Sequence, residues 1–116
     1  MASRTASLER QDGRVVCEHL LVAARPLRRM RGLLGRGGLP EGEGILLQPA
    51  GSIHTFFMRF AIDAVFLDRD LVVVGIEPSL APWRTASRRG AKVVVELASG
   101  ECERRGLAVG DRLLTV

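Results

Sequence analysis

Ser52 to Ile76 reads SIHTFFMRFAIDAVFLDRDLVVVGI. Two apolar runs, Ile62–Leu67 and Leu71–Ile76, flank Asp68-Arg69-Asp70. Their β-branched content and the polar break between them predict two strands joined as a hairpin. Within the first strand stands an acid, Asp63. Alternation puts it on the same face as Val65 and Leu67. A carboxylate on a buried face costs several kcal/mol unless it is paired or hydrogen-bonded, so Asp63 needs partners. The preceding Phe56-Phe57-Met58-Arg59-Phe60 reads as an aromatic cluster packed around a basic residue.

Upstream, residues 1–13 are polar and lack the apolar core of a signal peptide, and read as a mobile tail. Arg14–Ala23 alternates as a strand, with Val16, Leu20 and Val22 on one face. Pro26 then suits a helix first turn. A helix over Pro26–Leu34 would gather Leu27, Met30 and Leu34 on one side, with Arg31 at the edge of that side and Gly35 as its stop. The Gly- and Pro-rich stretch up to Gly44 reads as loop. It does not join a strand to a helix, so it is not a phosphate loop. Ile45-Leu46-Leu47 is a short buried strand, and Ser52–Thr55 an edge or loop. Downstream, Glu77–Gly90 reads as a long irregular connection and Ala91–Ala98 as a strong strand. A short helix capped by Ser99 follows, running to Arg105. The last strand is Arg112–Thr115. Strands and helices do not alternate as βαβ units, so the expected fold is mainly β: a single antiparallel sandwich or open barrel with two short helices over residues 14–116.

Composition narrows the function. The 116 residues carry a net charge of +4, and Lys92 is the only lysine among 17 basic residues. So Arg-heavy a balance, with no Asn or Tyr, reads as GC-rich codon usage rather than a nucleic-acid surface, which would interleave aromatics with its cations. Cys17 and Cys102 stand far apart, in no ligand spacing. They read as packed thiols of a reduced, cytoplasmic chain. No apolar run reaches the roughly 18 residues of a membrane span. H-x-H, C-x-x-C and H-E-x-x-H spacings are absent, so neither a metal nor a cofactor is expected.

Several stretches together resemble an uncharacterised prokaryotic family, domain of unknown function 192. They are Arg31-Gly32-Leu33-Leu34-Gly35-Arg36, Phe57-Met58-Arg59 with Ile62–Asp68, Val94–Gly100 and Gly106–Arg112. The resemblance spans about Val15 to Leu114. It implies a small, mainly β fold, often described as a sandwich with jelly-roll character, and no reaction. Many members carry Trp before the Met and Lys-Asn after it. Here Phe57 precedes Met58 and Arg59-Phe60 follows, so a side-chain amide of that block is absent.

Three functional readings follow. The leading one is a non-enzymatic domain with a cleft rimmed by Arg31, Arg36, His54 and Arg59 and floored by Asp63. Such a cleft would take a small anionic ligand or an acidic peptide, because the planar guanidinium grips carboxylate and phosphate with paired hydrogen bonds. The second is a hydrolase using His54 and Asp63 as an acid/base pair. The third is a structural or interaction module without a pocket, where Arg31 and Asp63 only hold the fold; Arg31 and Arg59 are the candidate partners for the Asp63 carboxylate. Specific nucleic-acid binding is not expected, and oligomeric state is left open.

Overall fold

The computed structural model describes residues 4–23 and 37–116. Its strands are β1 (Arg4–Arg10), β2 (Val15–Ala23), β3 (Glu43–Leu47), β4 (Ser52–His54), β5 (Ile62–Leu67), β6 (Val73–Leu80), β7 (Thr85–Ser87), β8 (Val93–Ala98) and β9 (Leu113–Thr115). One short helix, α1, covers Glu101–Arg104. Seven strands form a single mixed sheet in the order β6-β5-β8-β3-β2-β1-β9, and β4 pairs with β7 in a separate ribbon. Every ladder of the large sheet is antiparallel except β2–β3, which is parallel. The sheet does not close into a barrel. Its edges approach at one corner, where Val72 bridges Arg112 and the Leu113 N–H donates to the Leu71 carbonyl.

The central strands explain why the alternation in β5 and β8 is so weak. All six residues of each are buried, as expected of strands covered on both faces. One face carries Leu8, Val16, Leu20, Val65, Leu67 and Val95. The other carries Ile45, Leu47, Ile62, Phe66 and Val94, and is covered by Ile53, Met58 and Leu80. The β4–β7 ribbon is therefore a lid on the second face, and its loops carry the residues of interest.

The hairpin expected over 62–76 is present, with β6 running further, to Leu80. Three readings of the sequence are corrected. The polar N-terminal stretch is not a tail: Arg4–Arg10 is a strand between β2 and β9. Its sequence is polar because a strand near a sheet edge buries little; among its described side chains, Ala6 to Arg10, only Leu8 enters the core fully. The connection 77–90 is not irregular throughout, since Thr85–Ser87 pairs with Ser52–His54. Ser99 does not cap α1. The residue at that position is Gly100, with φ of 90°, and it makes no side-chain cap. The helix expected over Pro26–Leu34 lies outside the described residues, as do Arg31 and Arg36.

Candidate functional site

Asp63 is 1% exposed. One carboxylate oxygen, Oδ1, accepts the backbone N–H of Ser79 at 2.9 Å and of Gly100 at 3.1 Å. The other, Oδ2, accepts the N–H of Cys102 at 3.0 Å. Local structure prepares each donor. Between the pairs Ile62–Leu80 and Ala64–Glu77 the β5–β6 register slips, so β6 bulges opposite Asp63 and frees the Ser79 amide from the ladder. Gly100, in a left-handed conformation that glycine adopts without penalty, turns its amide toward the same oxygen. Asp63 thus supplies, from a distant strand, the N-terminal cap that α1 lacks locally. Arg59 is exposed and makes no ion pair with it; among the described residues the ion-paired arginines are Arg10, Arg88, Arg104 and Arg105. The expected pairing with Arg59 is corrected: main-chain amides do that work. The alternative partner, Arg31, is outside the described residues.

His54 stands elsewhere, on β4. Its Nδ1 accepts the Phe56 N–H at 3.3 Å, and its ring stacks on Phe56 with centroids 4.7 Å apart. No hydrogen bond joins His54 to Asp63, whose oxygens are occupied by Ser79, Gly100 and Cys102. The structure does not assemble the proposed acid/base pair. The thiols are no substitute nucleophile. Both are buried and unpaired to each other. Burial pushes Cys17 up to about 11. Burial, and then the neighbouring Asp63 charge, pushes Cys102 up as well. Among the described residues no cluster of His, Cys, Asp and Glu could hold a metal ion.

What the structure does gather around His54 is a ladder of rings. Phe56 stacks on Trp83 at 5.7 Å, and Trp83 meets Phe57 edge-to-face at 4.6 Å. Phe57 is 63% exposed and Trp83 54%. Both adopt left-handed backbone, with φ of 68° and 64°. That conformation costs a non-glycine residue roughly 1–2 kcal/mol and is unusual for a bulky one. The aromatic run was expected to pack together around Arg59. Instead Met58 enters the core, while Phe57 and Arg59 face outward.

Thr55 holds this arrangement. Fully buried, it donates its hydroxyl to the Ala81 carbonyl at 2.6 Å and accepts the Arg84 N–H at 2.9 Å. Its main chain donates to the Arg84 carbonyl and accepts the N–H groups of Trp83 and Met58. One threonine therefore ties the loop after β4 to the loop before β7 and presents Phe57 and Trp83 side by side. Sequence reasoning missed Thr55, Trp83 and Arg84. The available signal was Pro82 beside a lone Trp and Arg in an otherwise polar connection.

Two concavities lie beside β7, whose Thr85 and Ala86 line both, and the first also borders the ladder at His54 and Phe56. One, of about 510 Å³, is lined by Ser52, His54, Phe56, Thr85 and Ser87 among others. The second, of about 430 Å³, is lined by Ser79, Arg84, Thr85 and Arg88, with Glu77. Arg88 is committed: it donates to the Ile76 carbonyl and Glu77 and lies over the Phe66 ring. Gly75 makes room, since a Cβ there would come within 2.5 Å of the Arg88 Nε. Arg84 is exposed and, among the described residues, its side chain makes only a long 3.4 Å bond to the Trp83 carbonyl, which leaves its guanidinium donors to spend.

Residues 7–115 match the family described as Uncharacterized ACR, the domain of unknown function 192. A UPF0127 protein of Thermococcus sibiricus is 28% identical over 111 residues, covering 91% of this chain and 71% of its own. A UPF0127 protein of Pyrococcus furiosus is 44% identical over 63 residues, covering 53% of each, so the chain spans about half the length of that relative. Two solved structures share the fold. A candidate transcription regulator from Sinorhizobium meliloti has a TM-score of 0.82 at 23% identity, covering 98% of this chain and 94% of that one. A protein of unknown function from Novosphingobium aromaticivorans has a TM-score of 0.79 at 20% identity, covering 97% and 84%. At such identities the likeness shows the fold alone. No helix among the described residues is long and apolar enough to cross a membrane.

Proposed function

Because the chain belongs to the domain of unknown function 192 family, a membership that assigns it no reaction, we propose its function from the site itself: a non-enzymatic domain that binds a small anionic ligand. The binding face is the one built by β4, β7 and the loops that Thr55 ties together, not a cleft floored by Asp63. The observation that carries this reading is Arg84, a cation with unspent donors that lines the second concavity and follows the exposed Trp83 in the chain. Arg59, on the companion loop, is exposed too, and neither 52–60 nor 81–90 contains an acid to neutralise them. The concavities, about 430 and 510 Å³, fall within the roughly 300–1,000 Å³ usual for small-molecule sites, which favours a small anion over a peptide tail. The hydrolase alternative lacks its pair: His54 and Asp63 serve different parts of the fold. The module reading keeps one element, Asp63 as a structural group. The reading includes a cytoplasmic location and no sequence-selective nucleic acid partner.

The test is a thermal-shift titration with inorganic phosphate. A ligand that binds only the native state adds about 2.7 kcal/mol of stability at a hundred times its Kd. The expected result is a saturable rise in melting temperature that disappears in the Arg59→Ala/Arg84→Ala double variant. An equal rise in both proteins would place the anion elsewhere and refute the proposed face.

A further inference from the structure

We propose that this face selects anions that carry a planar ring, such as an aryl phosphate or aryl carboxylate, the ring resting on Trp83 and Phe57 while the charge meets Arg84. The inference rests on the anion-binding reading above and adds the ligand's class. Three observations carry it. First, the rings of His54, Phe56, Trp83 and Phe57 form one continuous contact series from the β4 concavity to the surface. Second, the outer two rings stay more than half exposed although each occupies a strained backbone conformation. Strain of this kind persists where the surrounding structure over-determines it, and Thr55 supplies that constraint. Third, Trp83 and Arg84 are adjacent in the chain, and an Arg84 guanidinium N–H donates to the Trp83 main-chain carbonyl, so the free cation and the exposed ring are carried by neighbouring residues of one loop. A bare inorganic anion would use the cation and leave the rings in water. A ring-bearing anion uses both.

Trp83 is the only Trp and the chain has no Tyr, so near-ultraviolet-excited emission reports on this ring alone. The experiment titrates the full chain with three probes: phenyl phosphate, inorganic phosphate and benzyl alcohol. Emission and melting temperature are read in parallel. The expected result is a saturable change in Trp83 emission with phenyl phosphate, and affinity about tenfold or more above that for inorganic phosphate, as one stacked ring warrants. Benzyl alcohol should bind far more weakly than either. Phe57→Gly retains the reporter and should remove most of the preference. Trp83→Gly, followed by melting temperature, should leave phenyl phosphate no better than inorganic phosphate. Glycine suits the backbone at both positions, and a cooperative melt with retained inorganic-phosphate binding in each variant distinguishes loss of the preference from loss of the fold. If both phosphates bind with equal affinity and emission does not change, the ring preference is wrong while the anion site stands. If benzyl alcohol matches phenyl phosphate, or no probe binds, the anion reading itself falls and this inference with it.

Discussion

Asp63 places three backbone donors around one buried carboxylate, from the β6 bulge, the turn before α1 and α1 itself. Its burial is legible in the sequence, since an acid inside Ile62–Leu67 has apolar neighbours on both sides. Its partners are not. Every non-proline residue offers the same N–H, so a carboxylate satisfied by main chain leaves no side-chain signature, whereas arginines stand out. Asp63→Ala strands three donors, and at roughly 1 kcal/mol or more each the loss should be about 3 kcal/mol or more. Asp63→Asn keeps an oxygen for Ser79 and Gly100 but turns an amide toward the Cys102 N–H, so it should fall between alanine and the native protein. Urea melts of both variants check the order; an Asp63→Ala midpoint equal to the native one would contradict the structural role. At Phe57 and Trp83 the ordinary ranking of small residues should invert. Alanine keeps the left-handed strain and loses the ring, while glycine relieves the strain, so each glycine variant should be about 1 kcal/mol more stable than its alanine counterpart. Alanine variants as stable as the glycine ones would show that the backbone at these sites is relaxed.

At the scale of elements, α1 is only four residues long and is held by its neighbours rather than by its own turns. Asp63 fixes its start. Glu101, 1% exposed, fixes its body: it accepts the Gly42 N–H at 2.9 Å and pairs with Arg104 and Arg105. Arg105 reaches on to grip Glu18 of β2 with both terminal nitrogens, at 3.0 and 2.8 Å. The sequence announced the helix, but not that its charges, Glu101 at the start and Arg104 and Arg105 at the end, are spent on β2 and the loop before β3. That link joins residues more than 80 positions apart, and no local pattern encodes it. It has a pH consequence. Burial would lift the Glu101 carboxyl, but the Gly42 amide together with Arg104 and Arg105 outweighs it and holds the group below its ordinary 4.5. The Arg105 hydrogen bonds lower Glu18 in the same way. A depressed carboxyl binds protons less readily in the folded chain than in the unfolded one. The stability it contributes is therefore complete above about 4.5 and drains away as pH falls through the lowered folded values. Denaturant midpoints taken from neutral pH down to about pH 3 should fall on this limb, and less steeply in Glu101→Gln, which also starts lower. Parallel limbs in the two proteins would remove Glu101 from the account.

Across the whole molecule, structure and proposed function are divided between the two faces of one sheet. The face under β1, β2 and β9 is core, sealed by the α1 network and by Leu8 and Leu113. The opposite face is covered by Ile53, Met58 and Leu80, and the loops after β4 and before β7 expose Phe57, Trp83, Arg59 and Arg84. The sequence reading merged these two places. It joined His54 and Arg59 to Asp63 because they are close in the chain, and a strand pleat separates what sequence proximity suggests is together. The hairpin at 62–80 and strand β8 were legible because continuous apolar runs survive burial on both faces. The ribbon was not, because three-residue strands show no period. The account's central claim is that ligand and fold use different residues: the ribbon loops bind, and Asp63 only builds. Backbone amide chemical shifts followed during titration with phenyl phosphate test this most directly. The account predicts saturable shifts at Thr55, Phe57, Trp83 and Arg84 and none at Gly100 and Cys102, the Asp63 donors that line neither concavity. Shifts centred on Gly100 and Cys102, with the ribbon loops unmoved, would put the ligand at Asp63 and contradict it.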